Sequence, residues 1–467
     1  MANCVTVASS GLPFKEHFTD TVWRDPDRTS AEWRVCEHAL MQGFQQTPWQ
    51  SANQPWERRI LDEQGYDTRS IVVGDLNDDG YLDIVTANYG DANLLYFGKG
   101  DGTFTPGVPL GSDTRNTEDI ALGDLNGDGH PDIVEGNSNE SNYFYTNKGD
   151  GTFQAPVAFS GDPRDTRAVA LGDVNNDGWM EVVFANNGRT PQCYYNDKGV
   201  FKEAVDIGEE ALPANAILIH DVNRDSWPDL VLGNWQHPVR LFINDGNGSF
   251  GNSTPITGDI LKTRTLAAGD FHNDGRQEII VGNFAAAACV FSAGPKFQWT
   301  ASKFSSNPSL TVDIALGDLD GNGFIDVVKA EDSLAYRYYL NRGDGTFAPG
   351  TAFFDGTQSP ACVALADLDG DGLLDIVAGQ VHVPNCVYLN QGCMHPFIGA
   401  RCGALDASSQ GATSMIAGDF NGDTLPDIIA GIMNERIRLY LGNGQGGFSE
   451  GIPLTHEKQA TTSVAAG

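Results

Sequence analysis

The sequence is poor in basic residues, with 29 lysines and arginines against 62 aspartates and glutamates, which gives a formal net charge of −33. Nucleic acids and anionic membrane surfaces attract basic proteins, so this balance excludes both as partners. No apolar run approaches the roughly 20 residues that a membrane-spanning helix needs, so we expect no membrane insertion. The opening residues MANCVTVASSGLPF lack the charged and apolar regions of a signal peptide, as the mature form of a secreted protein also would.

Zinc-like cysteine spacing is missing as well, and its absence argues against a thiolate metal site among the eight cysteines. Disulfides remain open alternatives for Cys393 with Cys402 and for Cys4 with Cys36. Buried free thiols are an equally good interpretation of Cys193, Cys289 and Cys386, which occupy equivalent positions in a repeat.

An acidic phrase is what the sequence has in abundance. It reads VVGDLNDDGYLDIV from Val72, and seven further copies follow, the last being IAGDFNGDTLPDII from Ile416. Successive copies begin 48 or 49 residues apart, except for a last step of 52. So regular a period is typical of a propeller or a solenoid.

Each repeat predicts four short strands, because apolar runs of four to six residues alternate with Gly, Asn and Asp and no helical period is visible. Strand A (SIVVGDL) enters the acidic loop, strand B (LDIVTAN) leaves it, strand C (NLLYFGK) ends in a GDGTF turn, and a weaker strand D follows. We therefore predict an all-β fold, an eight-bladed β-propeller of four-stranded antiparallel blades, with nine or seven blades as alternatives.

The domain prediction is a lead-in or capping segment over residues 1–53 and a propeller over residues 54–467. The chain ends in TTSVAAG, which matches strand A up to the next acidic loop. Either the chain is part of a longer repeat array, or this strand closes the ring against segments such as Glu32–Cys36 and Trp56–Leu61.

The acidic loops follow the pattern D-x-[DN]-x-[DN]-G-x-x-[DE], which we number from position one to position nine. Oxygen-bearing side chains at positions one, three, five and nine, a glycine at position six and a backbone carbonyl at position seven suit a hard cation such as Ca²⁺. An EF-hand would need flanking helices and a glutamate at position 12, so that alternative fails. Ordinary hairpin turns would explain one such loop, but not eight in register.

The predicted calcium ligands form eight sets. The first four loops supply Asp75, Asn77, Asp79, Tyr81 and Asp83; Asp124, Asn126, Asp128, His130 and Asp132; Asp173, Asn175, Asp177, Trp179 and Glu181; and Asp221, Asn223, Asp225, Trp227 and Asp229. The last four supply Asp270, Asp274, Arg276 and Glu278; Asp318, Asp320, Asn322, Phe324 and Asp326; Asp367, Asp369, Asp371, Leu373 and Asp375; and Asp419, Asn421, Asp423, Leu425 and Asp427.

The loops differ in quality. His272 replaces the oxygen at position three of the fifth loop, which we expect to be the weakest site or empty, whereas Ser226 and Thr424 replace the glycine in two others. Positions one, three, five and nine hold 25 carboxylates, and eight structural Ca²⁺ ions would bring the net charge to −17. Because these carboxylates repel one another without metal, we expect calcium binding to be coupled to folding.

The phrase GD-[LV]-[ND]-x-DG-x-x-D-[IV]-V, followed by LY-x-N-x-GDGTF, resembles the FG-GAP/VCBS repeats of integrin α-subunit propellers, propeller lectins and large secreted bacterial proteins. The resemblance covers roughly residues 54–467. It implies an extracellular or cell-surface propeller whose A–B loops bind Ca²⁺ and which recognises glycans or proteins.

A ligand is expected on the face opposite the acidic loops, where strand A begins and the B–C loops lie. Aromatic rings beside amides, imidazoles and guanidinium groups suit sugar rings there. The candidate ligand-binding residues are Tyr89, Asn137, Asn186, Trp235, His237, Phe284, His382 and Asn434, with Arg69, Arg167 and Arg264 at the starts of strands A.

The functional prediction is a calcium-stabilised, non-catalytic recognition or adhesion module for glycans or surface proteins. One alternative is a polysaccharide lyase or hydrolase, for which His237, His382 and Glu140 could act as acid or base. No HExxH motif supports it. The other alternative is a structural module of a larger secreted repeat protein.

Overall fold

The computed structural model describes residues 3–7, 20–24, 33–36, 39–42, 56–159, 163–256, 258–294, 298–303, 309–332, 335–353, 359–392, 403–404, 412–418, 420–421, 427–441, 449, 451–454 and 459–460. Every regular element in these ranges is a β-strand. No helix in the described part of the chain is long and apolar enough to cross a membrane. The chain divides into two compact units, Pro55–Gly392 and a second unit made of Met1–Gln54 with Cys393–Gly467.

The larger unit contains seven four-stranded sheets, which we call blades 1 to 7, with strands A to D. Blades 1 to 3 have strands Thr68–Gly74, Asp83–Asp91, Leu94–Tyr96 and Val108–Pro109; Arg115–Gly123, Asp132–Glu140, Tyr143–Tyr145 and Val157–Ala158; and Arg164–Gly172, Glu181–Arg189, Gln192–Tyr194 and Val205–Asp206. Blades 4 and 5 have strands Leu212–His220, Asp229–His237, Arg240–Phe242 and Thr254–Pro255; and Leu261–Gly269, Glu278–Ala286, Cys289–Ala293 and Trp299–Lys303.

Blades 6 and 7 complete the ring. Their strands are Ser309–Gly317, Asp326–Glu331, Tyr336–Tyr339 and Thr351–Ala352; and Pro360–Ala366, Asp375–Gln380 and Cys386–Asn390 with strand D from Trp56–Ile60. A small hairpin of Asn196–Asp197 and Val200–Phe201 lies between strands C and D of blade 3. Neighbouring strands within each blade pair antiparallel.

Ring closure depends on the outer strand of blade 7. Trp56–Ile60 pairs with Cys386–Asn390, so the first strand of the unit completes its last blade. Strand A of each blade contacts strand A of the next, and this cycle returns from blade 7 to blade 1. A bridge between Asp67 and Val381 and a shared apolar cluster that includes Ile71 and Val377 join the same two blades.

The larger unit therefore contains seven four-stranded blades, one for each of the first seven repeats. The blade number of the whole chain, for which we predicted eight with nine or seven as alternatives, stays a prediction. The eighth repeat forms its own sheet in the second unit, with strands Ala412–Gly418, Asp427–Glu435, Arg438–Tyr440 and Ile452–Pro453, and Gln459–Ala460 pairs with the second of these. That unit also contains the hairpin Asn3–Val7 with Asp20–Arg24 and the sheet Gly403–Ala404, Trp33–Cys36 and Ala39–Gln42.

The core lies between successive blades. One cluster joins Val183 and Cys193 of blade 3 to Leu230 and Phe242 of blade 4. The central residues of every strand B in the ring are buried on both faces, because each blade is covered by two neighbours. This environment explains why these strands read as continuous aliphatic runs.

The thiols of the ring are free. Cys193, Cys362 and Cys386 are buried and Cys289 is half-buried, as the sequence indicated for three of them. The proposed pairs Cys4–Cys36 and Cys393–Cys402 involve side chains outside the described residues.

Each strand A carries a β-bulge at the same place. In blade 1 the register shifts between Thr68 and Ser70, so Arg69 has no partner residue in strand B. Equivalent shifts occur in the other six blades. The residues that have no partner residue in strand B there are Glu118, Arg167, Asn215, Arg264, Val312 and Ala361. A bulge re-aims its extra side chain, and here the bulged residues line the axis of the ring.

Candidate functional site

The carboxylate at position nine anchors each acidic loop to the body of its blade. Asp83 accepts hydrogen bonds from the backbone N–H of Leu76 at 2.8 Å and from that of Gly98 at 2.8 Å. The side chain of Asp83 is fully buried. Position nine accepts the equivalent bond from position two in the other loops, through Asp132, Glu181, Asp229, Glu278, Asp326, Asp375 and Asp427.

Position one closes the loop from the other side. The Asp75 carboxylate accepts from the Gly80 N–H at 2.9 Å, and six further loops repeat this bond. Gly80 has a φ of 82°, which explains the preference for glycine at position six. Ser226 adopts the same left-handed conformation, with a φ of 72°, so the fourth loop keeps its shape at the expense of backbone strain.

Two loops bring their carboxylates together in a way that can hold a metal ion. One oxygen from each of Asp318, Asp320 and Asp326 lies within 4.8 Å of the others, and Asp367, Asp369 and Asp375 form the same arrangement. Ca²⁺ binds oxygens at 2.3–2.6 Å, so two ligands on opposite sides of the ion lie at about this separation. The donor set of the sixth and seventh loops therefore fits calcium. The assignment of individual ligands in all eight loops stays a prediction.

The electrostatics of these loops favour a bound cation. Burial, and after it the charges of Asp320 and Asp318, raise the pKa of Asp326 to about 7, although two backbone N–H groups oppose the shift. Asp375 behaves in the same way, with a pKa raised to about 7 by burial first and then by Asp369 and Asp371. A divalent ion would relieve this crowding of negative charge.

The fifth loop departs from the others in its contacts. His272 Nδ1 lies 3.2 Å from Glu278 Oε1, so the imidazole takes the place of an oxygen ligand and contacts the position-nine carboxylate. A cavity of about 590 Å³ opens beside it, lined by residues that include Val222, Arg224 and Ala293. The expectation that this site is the weakest stays a prediction. In the eighth loop, Asp419, Asp423 and Leu425 lie outside the described residues.

An asparagine of strand C, 15 residues after position nine, links the loops of neighbouring blades. The Asn147 amide donates to the carbonyl of Leu76 in blade 1 at 2.9 Å and to that of Pro131 in its own blade at 3.1 Å. The same link is made by Asn196, Asn244, Asn341 and Asn390. Sequence reasoning missed this role, although the asparagine of the LY-x-N phrase was the available signal.

On the opposite face, two predicted ligand contacts are structural instead. Asn137 and Asn186 are fully buried, and their amides donate to the carbonyls of Ser141 and Thr190 within their own B–C turns. A side chain that is enclosed and occupied in this way cannot contact a ligand, so this corrects their assignment. The side chain of Asn434 lies outside the described residues.

The aromatic candidates of blades 4 and 5 do come together. The rings of Trp235 and Phe284 lie 5.6 Å apart at 42°, and both are half-buried. Lys262 Nζ stands 5.0 Å from the Trp235 ring and 5.8 Å from the Phe284 ring. We call Trp235, Phe284 and Lys262 the aromatic patch. His237 is exposed beside it and its Nδ1 lies 3.1 Å from the Trp235 carbonyl oxygen.

The remaining candidates lie elsewhere on this face. Tyr89 is half-buried, and the Arg69 guanidinium lies 5.3 Å from the centre of its ring. His382 is exposed in the B–C loop of blade 7 with a φ of 58°. Glu140, from blade 2, accepts a hydrogen bond from the Asn116 amide at 3.0 Å. Glu140, His237 and His382 thus come from three different blades.

Arg69, Arg167 and Arg264 are the bulged residues of blades 1, 3 and 5. All three line a cavity of about 290 Å³ on the axis of the ring, at the end of strand A remote from the acidic loops. We call it the axial cavity. The structure therefore separates the three arginines, which share one cavity, from the aromatic patch between blades 4 and 5.

Known structures resemble this fold at low sequence identity. BBS1N in complex with ARL6DN has a TM-score of 0.53 and 10% identity, over 72% of this chain and 97% of that one. The WD40 β-propeller domain of Doa1 has a TM-score of 0.49 and 12% identity, over 72% and 97%. A lectin of Agrocybe aegerita, solved for its specific recognition of non-reducing terminal N-acetylglucosamine, has a TM-score of 0.42 and 17% identity, over 86% and 93%. At these identities the first likeness concerns the fold alone.

No curated protein matches the chain by sequence. A family model described as FG-GAP-like repeat matches it at four places, residues 75–135, 124–184, 221–281 and 318–378. Each match begins at position one of an acidic loop and runs through strand B into the following repeat. The chain belongs to the FG-GAP/VCBS repeat family.

Proposed function

We propose that this chain is an extracellular, calcium-stabilised recognition module that binds a glycan or a surface protein through the face opposite its acidic loops. The observation that carries the proposal is the aromatic patch, in which Trp235 and Phe284 present half-buried rings with Lys262 beside them. Aromatic faces stack on the apolar faces of sugar rings, and neighbouring polar groups bind the hydroxyls.

Calcium has a structural role in this proposal. In the seven loops whose position-one side chain the structure describes, the carboxylates of positions one and nine also accept backbone hydrogen bonds, so an ion held there would tie strand A to strand B. The family resemblance supports calcium, and its millimolar concentration outside cells matches the affinity range of extracellular modules. In the sixth loop Asp318, Asp320 and Asp326 would hold the ion.

Extracellular location is part of the same proposal. The free thiols suit it, because burial raises the pKa of Cys193 and Cys362, which keeps both in the unreactive thiol form. The module is proposed to be non-catalytic. Its histidines His237 and His382 then serve as exposed surface groups and not as an acid–base pair.

The decisive experiment is a glycan and surface-protein binding screen in millimolar calcium, on the full chain and on Trp235→Ala. We expect at least one ligand whose binding weakens about tenfold or more in Trp235→Ala. Stacking of a ligand ring on an aromatic side chain contributes on the order of 1–3 kcal/mol. Trp227→Ala is the matched control, since Trp227 is a half-buried tryptophan of the same blade at the acidic-loop end.

Two results would overturn the proposal. One is equal loss of binding in Trp227→Ala and Trp235→Ala, which would mean a general effect on folding. The other is turnover of a polysaccharide by the wild-type chain that disappears in His237→Ala, which would favour an enzyme.

A further inference from the structure

The axial cavity is built from residues that the fold places at one level of the ring. Strand A of every blade carries its bulge six residues before position one, and the bulged side chains face the axis. Three of the seven are arginines in a chain that has more than twice as many acidic as basic residues. A cluster of guanidinium groups in such a chain therefore calls for a specific explanation.

Two of the three arginines are neutralised by the protein. Arg69 donates to Asp67 at 2.7 Å, and Arg167 donates to Glu118 at 2.6 Å and to Asp165 at 3.0 Å. These ion pairs fix both side chains at the wall of the cavity. Neither needs a ligand to complete its charge balance.

Arg264 differs from them. Within the described part of the chain its guanidinium makes no hydrogen bond or ion pair with a protein group. Burial lowers the pKa of its guanidinium, and the charges of Arg69 and Arg167 lower it further, whereas Glu118 and Asp332 act in the opposite direction. An arginine stays protonated in proteins, so an enclosed guanidinium without a partner is costly unless an anion pairs with it.

Hydrogen-bond acceptors lie in the same cavity as the Arg264 guanidinium. Glu118 and Asp332 line the same cavity, and Glu118 uses one oxygen for Arg167. An ionised carboxylate has about four lone-pair directions, so one bond leaves room to accept from a hydroxyl. Asn215 adds an amide to the lining. A ligand that satisfies both kinds of group must carry an anion for Arg264 and hydroxyl donors for the carboxylates.

The volume of the axial cavity limits the size of the ligand. About 290 Å³ is at the small end of ligand pockets, enough for one small polar molecule. A hydroxy acid the size of a monosaccharide combines a planar carboxylate, which a guanidinium fork binds in a bidentate way, with a ring of hydroxyls. An acidic peptide supplies carboxylates without these hydroxyls.

We propose that the axial cavity binds the uronate residue of an acidic glycan, with Arg264 pairing with its carboxylate and Glu118 and Asp332 accepting from its hydroxyls. This inference rests on the proposed recognition function and assigns a ligand class to it. The aromatic patch then contacts a second part of the same face and is not needed for the uronate itself.

Isothermal titration calorimetry with galacturonate tests the inference, with galactose as the neutral ligand of matched shape and triglutamate as the acidic peptide. Wild type is expected to bind galacturonate at least tenfold more tightly than either comparison ligand. Arg264→Gln should weaken galacturonate binding by about tenfold to a hundredfold, because a charge-assisted pair is lost. Arg342→Gln, which removes an exposed arginine in the C–D turn of blade 6, should leave it unchanged.

Thermal melts keep this result interpretable. Removing an unpartnered charge should leave the melting temperature of Arg264→Gln unchanged or raise it. If that variant fails to fold, Arg264→Lys retains the charge without the bidentate fork and should still weaken galacturonate binding about tenfold. Equal binding of galactose, tighter binding of triglutamate, or unchanged galacturonate binding in Arg264→Lys would each overturn the inference.

The outcome separates the two proposals. Glycan binding that is lost in Trp235→Ala but unaffected by Arg264→Gln would support recognition and overturn the uronate site. Galacturonate binding that survives in Trp235→Ala but not in Arg264→Gln would support the uronate site as an independent subsite.

Discussion

The side-chain amide of Asn147 in blade 2 donates to the backbone carbonyl of Leu76 in blade 1, 71 residues earlier, at 2.9 Å. Its second bond goes to Pro131, and its carbonyl oxygen accepts from the Gly149 N–H at 2.9 Å. The side chain is only 1% exposed. One asparagine thus links two acidic loops and a turn. Its role is to hold neighbouring blades together, in addition to stabilising its own hairpin.

Asn147→Ala should destabilise the protein by about 2–3 kcal/mol, because two enclosed carbonyls lose their donor at once. Chemical denaturation in saturating calcium measures this change. Gln154→Ala, which removes an exposed amide from the same blade, should change the unfolding free energy by no more than about 0.5 kcal/mol. Similar values for the two variants would mean that the link carries no stability.

Much of the fold could be predicted from the sequence because its repeat is local. The acidic phrase with its flanking aliphatic runs places strands A and B within about 25 residues of one another, and the structure confirms an all-β propeller of four-stranded blades. The number of blades in the larger unit could not be predicted in this way. It depends on the pairing of Trp56–Ile60 with Cys386–Asn390, two strands that are far apart in the sequence and share no local pattern.

The candidate site divides in the same way. Spacing alone located the carboxylates of the sixth and seventh loops that the structure brings together. Asn137 and Asn186 were assigned wrongly because an asparagine in a turn has the same appearance whether it contacts a ligand or caps its own loop. Burial distinguishes the two roles, and it is set by neighbouring blades. The bulge that directs Arg264 to the axis likewise depends on strand register.

Removal of calcium should lower the melting temperature of the chain substantially, because the loop carboxylates then repel one another. Differential scanning calorimetry in excess chelator against millimolar calcium measures the shift. Asp369→Ala should bind about one ion fewer than wild type by metal analysis, since Asp369 belongs to the cluster of the seventh loop. Glu203→Ala removes an exposed carboxylate and should bind as many ions as wild type. A midpoint that is unaffected by chelator would contradict a structural role for the metal.

His272→Asn should strengthen calcium binding at the fifth loop. An amide oxygen would replace the imidazole that now lies 3.2 Å from Glu278, restoring the oxygen donor found at position three elsewhere. Titration calorimetry should detect one additional ion, or an increase of about tenfold in the affinity of the weakest site. His382→Asn, on the opposite face, is the control and should have no effect on metal binding. Loss of bound calcium in His272→Asn would show that the histidine contributes a ligand.

Two aspartates at the axis should make stability depend on pH in a recognisable direction. Burial raises the pKa of Asp119 to about 6 and that of Asp313 to about 6, against 3.8 for an unperturbed aspartate. The folded state therefore binds protons that the unfolded state releases between pH 4 and 6, so this contribution to stability is present below pH 4 and is lost as the pH rises through 6. Because the two side chains are partly accessible, we expect about 1–3 kcal/mol from each.

The variant Asp119→Asn isolates this effect, because an amide does not titrate. In excess calcium, the unfolding free energy of wild type minus that of Asp119→Asn should fall by about 1–3 kcal/mol between pH 4 and pH 7. Asp165→Asn provides a control of opposite sign. Although burial opposes it, hydrogen bonds from Asn187, Arg167 and Ser138 lower the pKa of Asp165, so its stabilisation is lost only as the pH falls below about 4. The corresponding difference should therefore not fall between pH 4 and pH 7. If the two free-energy differences change with pH in the same way, then Asp119 titrates in the folded protein as it does in the unfolded chain. Its enclosure between blades would then have no effect on its charge.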